Sequence, residues 1–76
     1  MAKVSYTVVI ERAAGNFSAY VPDLPGCIAT GATEDEVLRN LSEAIRFHIE
    51  GLIEDGQPIP PSQSTSRTVE TELAVA

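Results

Sequence analysis

Tyr20-Val21-Pro22-Asp23-Leu24-Pro25-Gly26-Cys27-Ile28-Ala29-Thr30-Gly31, followed at once by Thr33-Glu34-Asp35-Glu36, is the stretch around which this chain is organised. Pro22 and Pro25 each hold φ at about −65° and steer the preceding residue out of the helical region. Gly26 is free to take a positive φ that most residues avoid. With so few open dihedrals the loop is expected to keep one shape, and Pro22, Pro25, Gly26 and Cys27 are read as a structural corner. It separates alternating sequence from a strong helix start.

Upstream of the corner, residues 3–12 alternate. Val4, Tyr6, Val8 and Ile10 share one side, while Ser5, Thr7, Val9 and Glu11 share the other. Period two with β-branched enrichment predicts a half-buried strand. Ala13-Ala14-Gly15-Asn16 carries a Gly-Asn pair of the kind found in hairpin turns. A second strand is expected over 16–21, with Phe17, Ala19 and Val21 on one face and Ser18 and Tyr20 on the other. A third is expected over 27–31. Such short connections favour antiparallel pairing.

Downstream, Thr33 is placed to act as N-cap with Glu36 completing a capping box, and three acids occupy the first turn, where they complement the helix dipole. Val37, Leu38, Leu41, Ala44, Ile45, His48, Ile49 and Leu52 follow at helical spacing and predict one amphipathic helix over 34–55. Gly56 fits a left-handed C′ position. Residues 57–66 read as a stiff Pro segment followed by a polar Ser spacer. Val69, Thr71, Leu73 and Val75 then alternate with Thr68, Glu70, Glu72 and Ala74, which predicts a fourth strand over 67–75, at an edge.

The expected fold is therefore α+β: a three-stranded antiparallel sheet, one amphipathic helix packed on it, then a fourth strand, within a single domain spanning 1–76. One helix covers only one sheet face. Val9 and Tyr20 on the other face, and Phe47 well off the helical stripe, are thus candidates for self-association.

Composition narrows the function classes. With 5 Lys and Arg against 11 Asp and Glu, the net charge is −6, the wrong sign for gripping a phosphate backbone. Direct nucleic-acid binding is not expected; the charge suits a basic protein partner, although charge alone speaks first for keeping a small domain soluble. No apolar run is long enough for a membrane span and the N-terminus lacks a secretory signal, so a cytoplasmic location with no membrane association is the expectation.

No residue pattern points firmly to catalysis. His48 is the single histidine and lies near the middle of the apolar stripe, which reads as a core position. Cys27, the single cysteine, has acidic rather than basic neighbours, so it reads as a small apolar residue and not as a nucleophile. Glu11, Glu36, Glu43 and Glu70 could in principle converge around divalent metal, but eleven scattered acids produce such sets by chance. The expectation is no catalytic residue, no metal and no cofactor. Asp23 reads either as a cap of its own turn or as an exposed recognition charge.

The order Tyr6-x-Val-x-Ile-Glu11, Phe17-x-Ala-x-Val-Pro-Asp-Leu-Pro-Gly-Cys27, Gly31-x-Thr33-x-x-Glu36, Asn40-x-x-Glu43-Ala44-Ile45 and Gly56-x-x-Ile59-Pro60 resembles the HicB-like antitoxin family. The likeness runs from about residue 4 to residue 61, and the Pro-Asp-Leu-Pro-Gly-Cys segment carries most of it. The resemblance implies a partial RNase H-like fold, an oligomer (dimer or tetramer), and neutralisation of a small basic mRNA-cleaving toxin, HicA, by covering its active site. Many members of the family add a DNA-binding module; here only Arg67 is basic beyond the linker, so DNA-linked autorepression by this chain alone is not expected. The expected partner surface is Asp23 and Leu24 in the corner with Glu34 and Glu36 at the helix start, with the last strand and its edge as an equal alternative. Two alternatives stand beside this: a solitary oligomeric scaffold or small-ligand binder with no toxin, and a metal-dependent nuclease.

Overall fold

The computed structural model describes residues 3–75. Three strands, β1 (Val9–Ala13), β2 (Asn16–Tyr20) and β3 (Ile28–Gly31), form an antiparallel sheet in the order β1-β2-β3, followed by one helix, α1 (Glu34–Glu54). The helix lies chiefly over β3 and β2. Between the layers Ala19, Val21, Leu24, Cys27, Val37 and Leu41 form the buried cluster, and Tyr6, Val8, Ile10 and Phe17 pack against it. The period-two reading put Tyr6, Val8 and Ile10 on one side of the first strand and Phe17, Ala19 and Val21 on one face of the second, and these side chains do meet in or against this cluster.

The corner is two β-turns back to back. Leu24 N–H donates to the Val21 carbonyl (3.1 Å), and Cys27 N–H donates to the Leu24 carbonyl (3.0 Å). Pro22 and Pro25 each occupy the second position of a turn, where a fixed φ is already correct. Gly26 has φ +84°, as the second turn demands of its third residue. Val21 N–H donating to the Cys27 carbonyl (3.2 Å) closes the pair. Leu24, the residue shared by both turns, is driven fully into the core.

The helix ends as its sequence implies. Thr33 is extended at φ −134°, and its hydroxyl accepts from Glu36 N–H (3.1 Å), so the hydroxyl half of the expected box forms. At the other end Gly56 takes φ +68°, Gln57 N–H reaches the Leu52 carbonyl (2.8 Å) and Gly56 N–H the Ile53 carbonyl (3.1 Å). These two bonds make a Schellman cap. Asn40 ties the helix to the sheet by donating from Nδ2 to the Thr30 carbonyl (2.8 Å). Gly31 lets β3 and α1 meet: a Cβ there would lie 2.6 Å from Val37 N and 2.9 Å from Val37 Cα.

Two strand expectations differ from what forms. Residues 3–8 are not part of the sheet, although 3–12 alternates throughout. The ladder starts at Val9↔Tyr20 because β2 ends there and Pro22, which has no N–H, turns the chain away. The fourth strand expected over 67–75 does not form either; among the described residues, 57–75 carry neither helix nor strand. Alternation gives a segment two faces but supplies no ladder partner, and none lies alongside it here.

Candidate protein-binding surfaces

Three surfaces stand out from the body, and each follows from how its elements are held. The first is the sheet face turned away from α1. The register sets Val9 opposite Tyr20 and Tyr20 opposite Ile28, so one row crosses all three strands. No layer covers it, and Ile28 is 62% exposed. The sequence reading found Val9 and Tyr20 but missed Ile28. The missing signal was the register of β3, which places Ile28 beside Tyr20 rather than under the helix. Phe47, the third self-association candidate, is 79% exposed but lies on the helix, in the other layer. The structure does not bring it to the row.

The second surface is the start of α1. Glu34, Asp35 and Glu36 fill its first turn, with Glu34 and Asp35 exposed and Glu36 half-buried. Here helix dipole and capping require acids, so negative charge is concentrated by the same rule that starts the helix.

The third is the corner, where the sequence reading and the structure part. Leu24, expected to meet a partner, is wholly buried between the turns. Asp23 is neither a cap of its own turn nor a free charge. Its Oδ2 accepts from the backbone N–H groups of Gln63 and Ser64 (3.0 Å each), and its Oδ1 accepts from the Ser64 hydroxyl (3.0 Å). The Ser64 N–H first, then the Gln63 N–H and the Ser64 hydroxyl, hold the carboxyl below its ordinary value, while desolvation works against them. Tyr6 Oη donating to the Pro60 carbonyl (2.6 Å) and Thr7 Oγ1 to the Ser64 carbonyl (2.7 Å) fasten the same returning segment.

The remaining candidates for chemistry are placed as follows. Cys27 is buried, and that burial pushes its thiol up, away from a reactive thiolate. His48 is half-buried instead of central in the core. On the exposed face of the helix Arg46 and Glu50, four residues apart, approach to 3.7 Å. Among the described residues no three His, Cys, Asp or Glu side chains converge as a metal site would need, and no described helix is long and apolar enough to cross a membrane.

Three short strands, a proline-led double turn and one capped helix with uncovered surfaces on both layers define a small α+β domain. The chain belongs to the HicB-like antitoxin family of bacterial toxin-antitoxin systems, whose pattern residues 6–73 match. It is 44% identical over 57 residues to a 14.9 kDa protein of Haemophilus phage HP1, an alignment covering 75% of this chain and 43% of that protein. The chain thus spans less than half of the phage protein's length. A UPF0150 protein of Thermoplasma acidophilum is 40% identical over 67 residues, covering 87% of this chain and 97% of that one. A UPF0150 protein of Synechocystis is 42% identical over 57 residues, covering 74% and 72% respectively. Among solved structures, a chain of a HicA3 and HicB3 toxin-antitoxin complex superposes with a TM-score of 0.66 at 35% identity, covering 78% of this chain and 70% of that chain.

Proposed function

We propose that this chain is an antitoxin that binds a small basic, mRNA-cleaving toxin of the HicA type and silences it by covering the toxin's active site, while carrying out no reaction of its own. The likeness to a chain of the HicA3 and HicB3 complex carries this reading. The charge supports it physically. A protein that grips RNA presents basic side chains to phosphates, and a domain of net charge −6 competes for that same surface. Asp23 is engaged by Gln63 and Ser64 and Leu24 is buried, so the toxin contact is assigned first to Glu34 and Glu36 at the helix start.

The test is RNA cleavage by a purified HicA-type toxin titrated with this chain. Cleavage stops at stoichiometric chain, and Glu34→Lys with Glu36→Lys raises the amount needed at least tenfold, about 1.4 kcal/mol of lost contact. Undiminished cleavage in excess chain defeats the proposal. RNA cut by the chain alone, in magnesium, would support the nuclease alternative instead.

A further inference from the structure

Two features of this chain are each incomplete. One is an open apolar groove of about 420 Å³ between the unpaired residues ahead of β1 and the helix, walled by Val4, Val8, Leu38, Ile45, Ile49 and Ile53. It exists because α1 lies over β3 and β2 and leaves the β1 side of the sheet uncovered, with β1 itself at the sheet's edge. The other is the segment 67–75, whose apolar face stands in solvent: Val69 is 85%, Leu73 76% and Val75 86% exposed. The molecule measures 58 × 28 × 21 Å with a radius of gyration of 15.6 Å, against about 11 Å for a compact domain of this length. The excess belongs to an arm standing away from the body.

We propose that the arm, residues 67–75, of one copy lies in the groove of a second copy, and that the exchange is mutual about a two-fold axis. Length fits. Val69 to Val75 covers about 20 Å in an extended chain at roughly 3.3 Å per residue. The helical wall from Leu38 to Ile53 covers about 22 Å at roughly 1.5 Å per residue. Pattern fits as well: Val69, Leu73 and Val75 enter the groove together, and Glu70 and Glu72 on the opposite face remain in water. The rim carries Arg46, which already approaches Glu50 of the same rim at 3.7 Å, so the fit rests on length and pattern; Lys3, next to Val4, is the further cation on that side. The arm's root is pinned to the body, since Asp23 and Thr7 hold Gln63 and Ser64, so the arm leaves from a defined point. Both segments read as strands and both lack a ladder partner among the described residues. The exchange supplies each with the other and buries two apolar surfaces that solvent otherwise touches.

The test needs no toxin, so its result is independent of the antitoxin proposal. The wild-type chain sediments at twice the chain mass. Val69→Glu with Leu73→Glu disables the arm, and Leu38→Glu with Ile53→Glu disables the groove; these side chains are exposed, so helical circular dichroism stays as in wild type. Each variant alone sediments as a monomer. Mixed in equal amounts they form a heterodimer, because one intact arm meets one intact groove. A monomeric wild type, a dimeric arm variant, or a mixture that stays monomeric overturns the proposal.

Discussion

Asp23 accepts two hydrogen bonds from Ser64, one from its backbone N–H and one from its hydroxyl, each 3.0 Å long, and so fastens the corner to a segment far along the chain. Because those bonds favour the ionised carboxyl, the fastening depends on pH. With the folded value lowered, the contribution is complete above the ordinary carboxyl value of 3.8 and disappears as pH falls through the lowered value. Protection of the Gln63 and Ser64 amides, measured against a free amide at the same pH, should therefore be high at neutral pH and fall once pH drops below that value, where both exchange as quickly as unbonded amides do. Asp23→Ala should show the quick exchange already at pH 7; equal protection in the variant would refute the fastening.

Leu24 tests the double turn. It is fully buried at the junction of two proline-led turns, so Leu24→Ala should lower stability by about 2–5 kcal/mol, the usual cost of such a cavity. Ile28→Ser on the uncovered row should change stability far less, because its side chain is already mostly in water. Urea titration of the two variants gives the comparison, and equal losses would contradict the placement of Leu24.

Gly31 tests the meeting of sheet and helix. An added methyl would press on the backbone of Val37, which cannot rotate aside as a side-chain tip would. Gly31→Ala should cost about 1–3 kcal/mol by overpacking. An unchanged melting temperature would mean that β3 and α1 sit further apart than described.

The helix start and its tie to the sheet form a separable pair. Thr33→Ala removes the hydroxyl that accepts from Glu36 N–H and should cost about 1 kcal/mol. Asn40→Ala removes the bond to the Thr30 carbonyl and should cost about 0.5–1.5 kcal/mol. Since the two bonds share no partner, the double variant should lose close to the sum. A marked departure in chemical denaturation would show that cap and tie act as one unit.

Much of this molecule could be read from residue order because the responsible forces act over a few neighbours. The second strand, the Thr33 cap, the helical stripe and the Gly56 stop are local and lie where the pattern placed them to within a residue, while of the first strand, expected over 3–12, only Val9–Ala13 forms. Leu24 and Asp23 were harder. Both sit in a polar-looking turn, and only the closed pair of turns shows that one side chain points inward while the other faces Ser64. Ile28 was missed for a similar reason, since its neighbour Tyr20 is set by β-register and not by spacing along the chain.

Taken alone, the residue order was enough for three strands, one capped helix, a rigid corner and a negatively charged surface, since dihedral preference, periodicity and charge are properties of short segments. Folding in three dimensions settled what depends on distant groups meeting: which oxygen of Asp23 serves which donor, why Gly31 must lack a side chain, and that 3–8 and 67–75 remain unpaired despite their strand pattern. A strand needs a neighbour to complete its hydrogen bonds, and alternation along one segment does not say where that neighbour is.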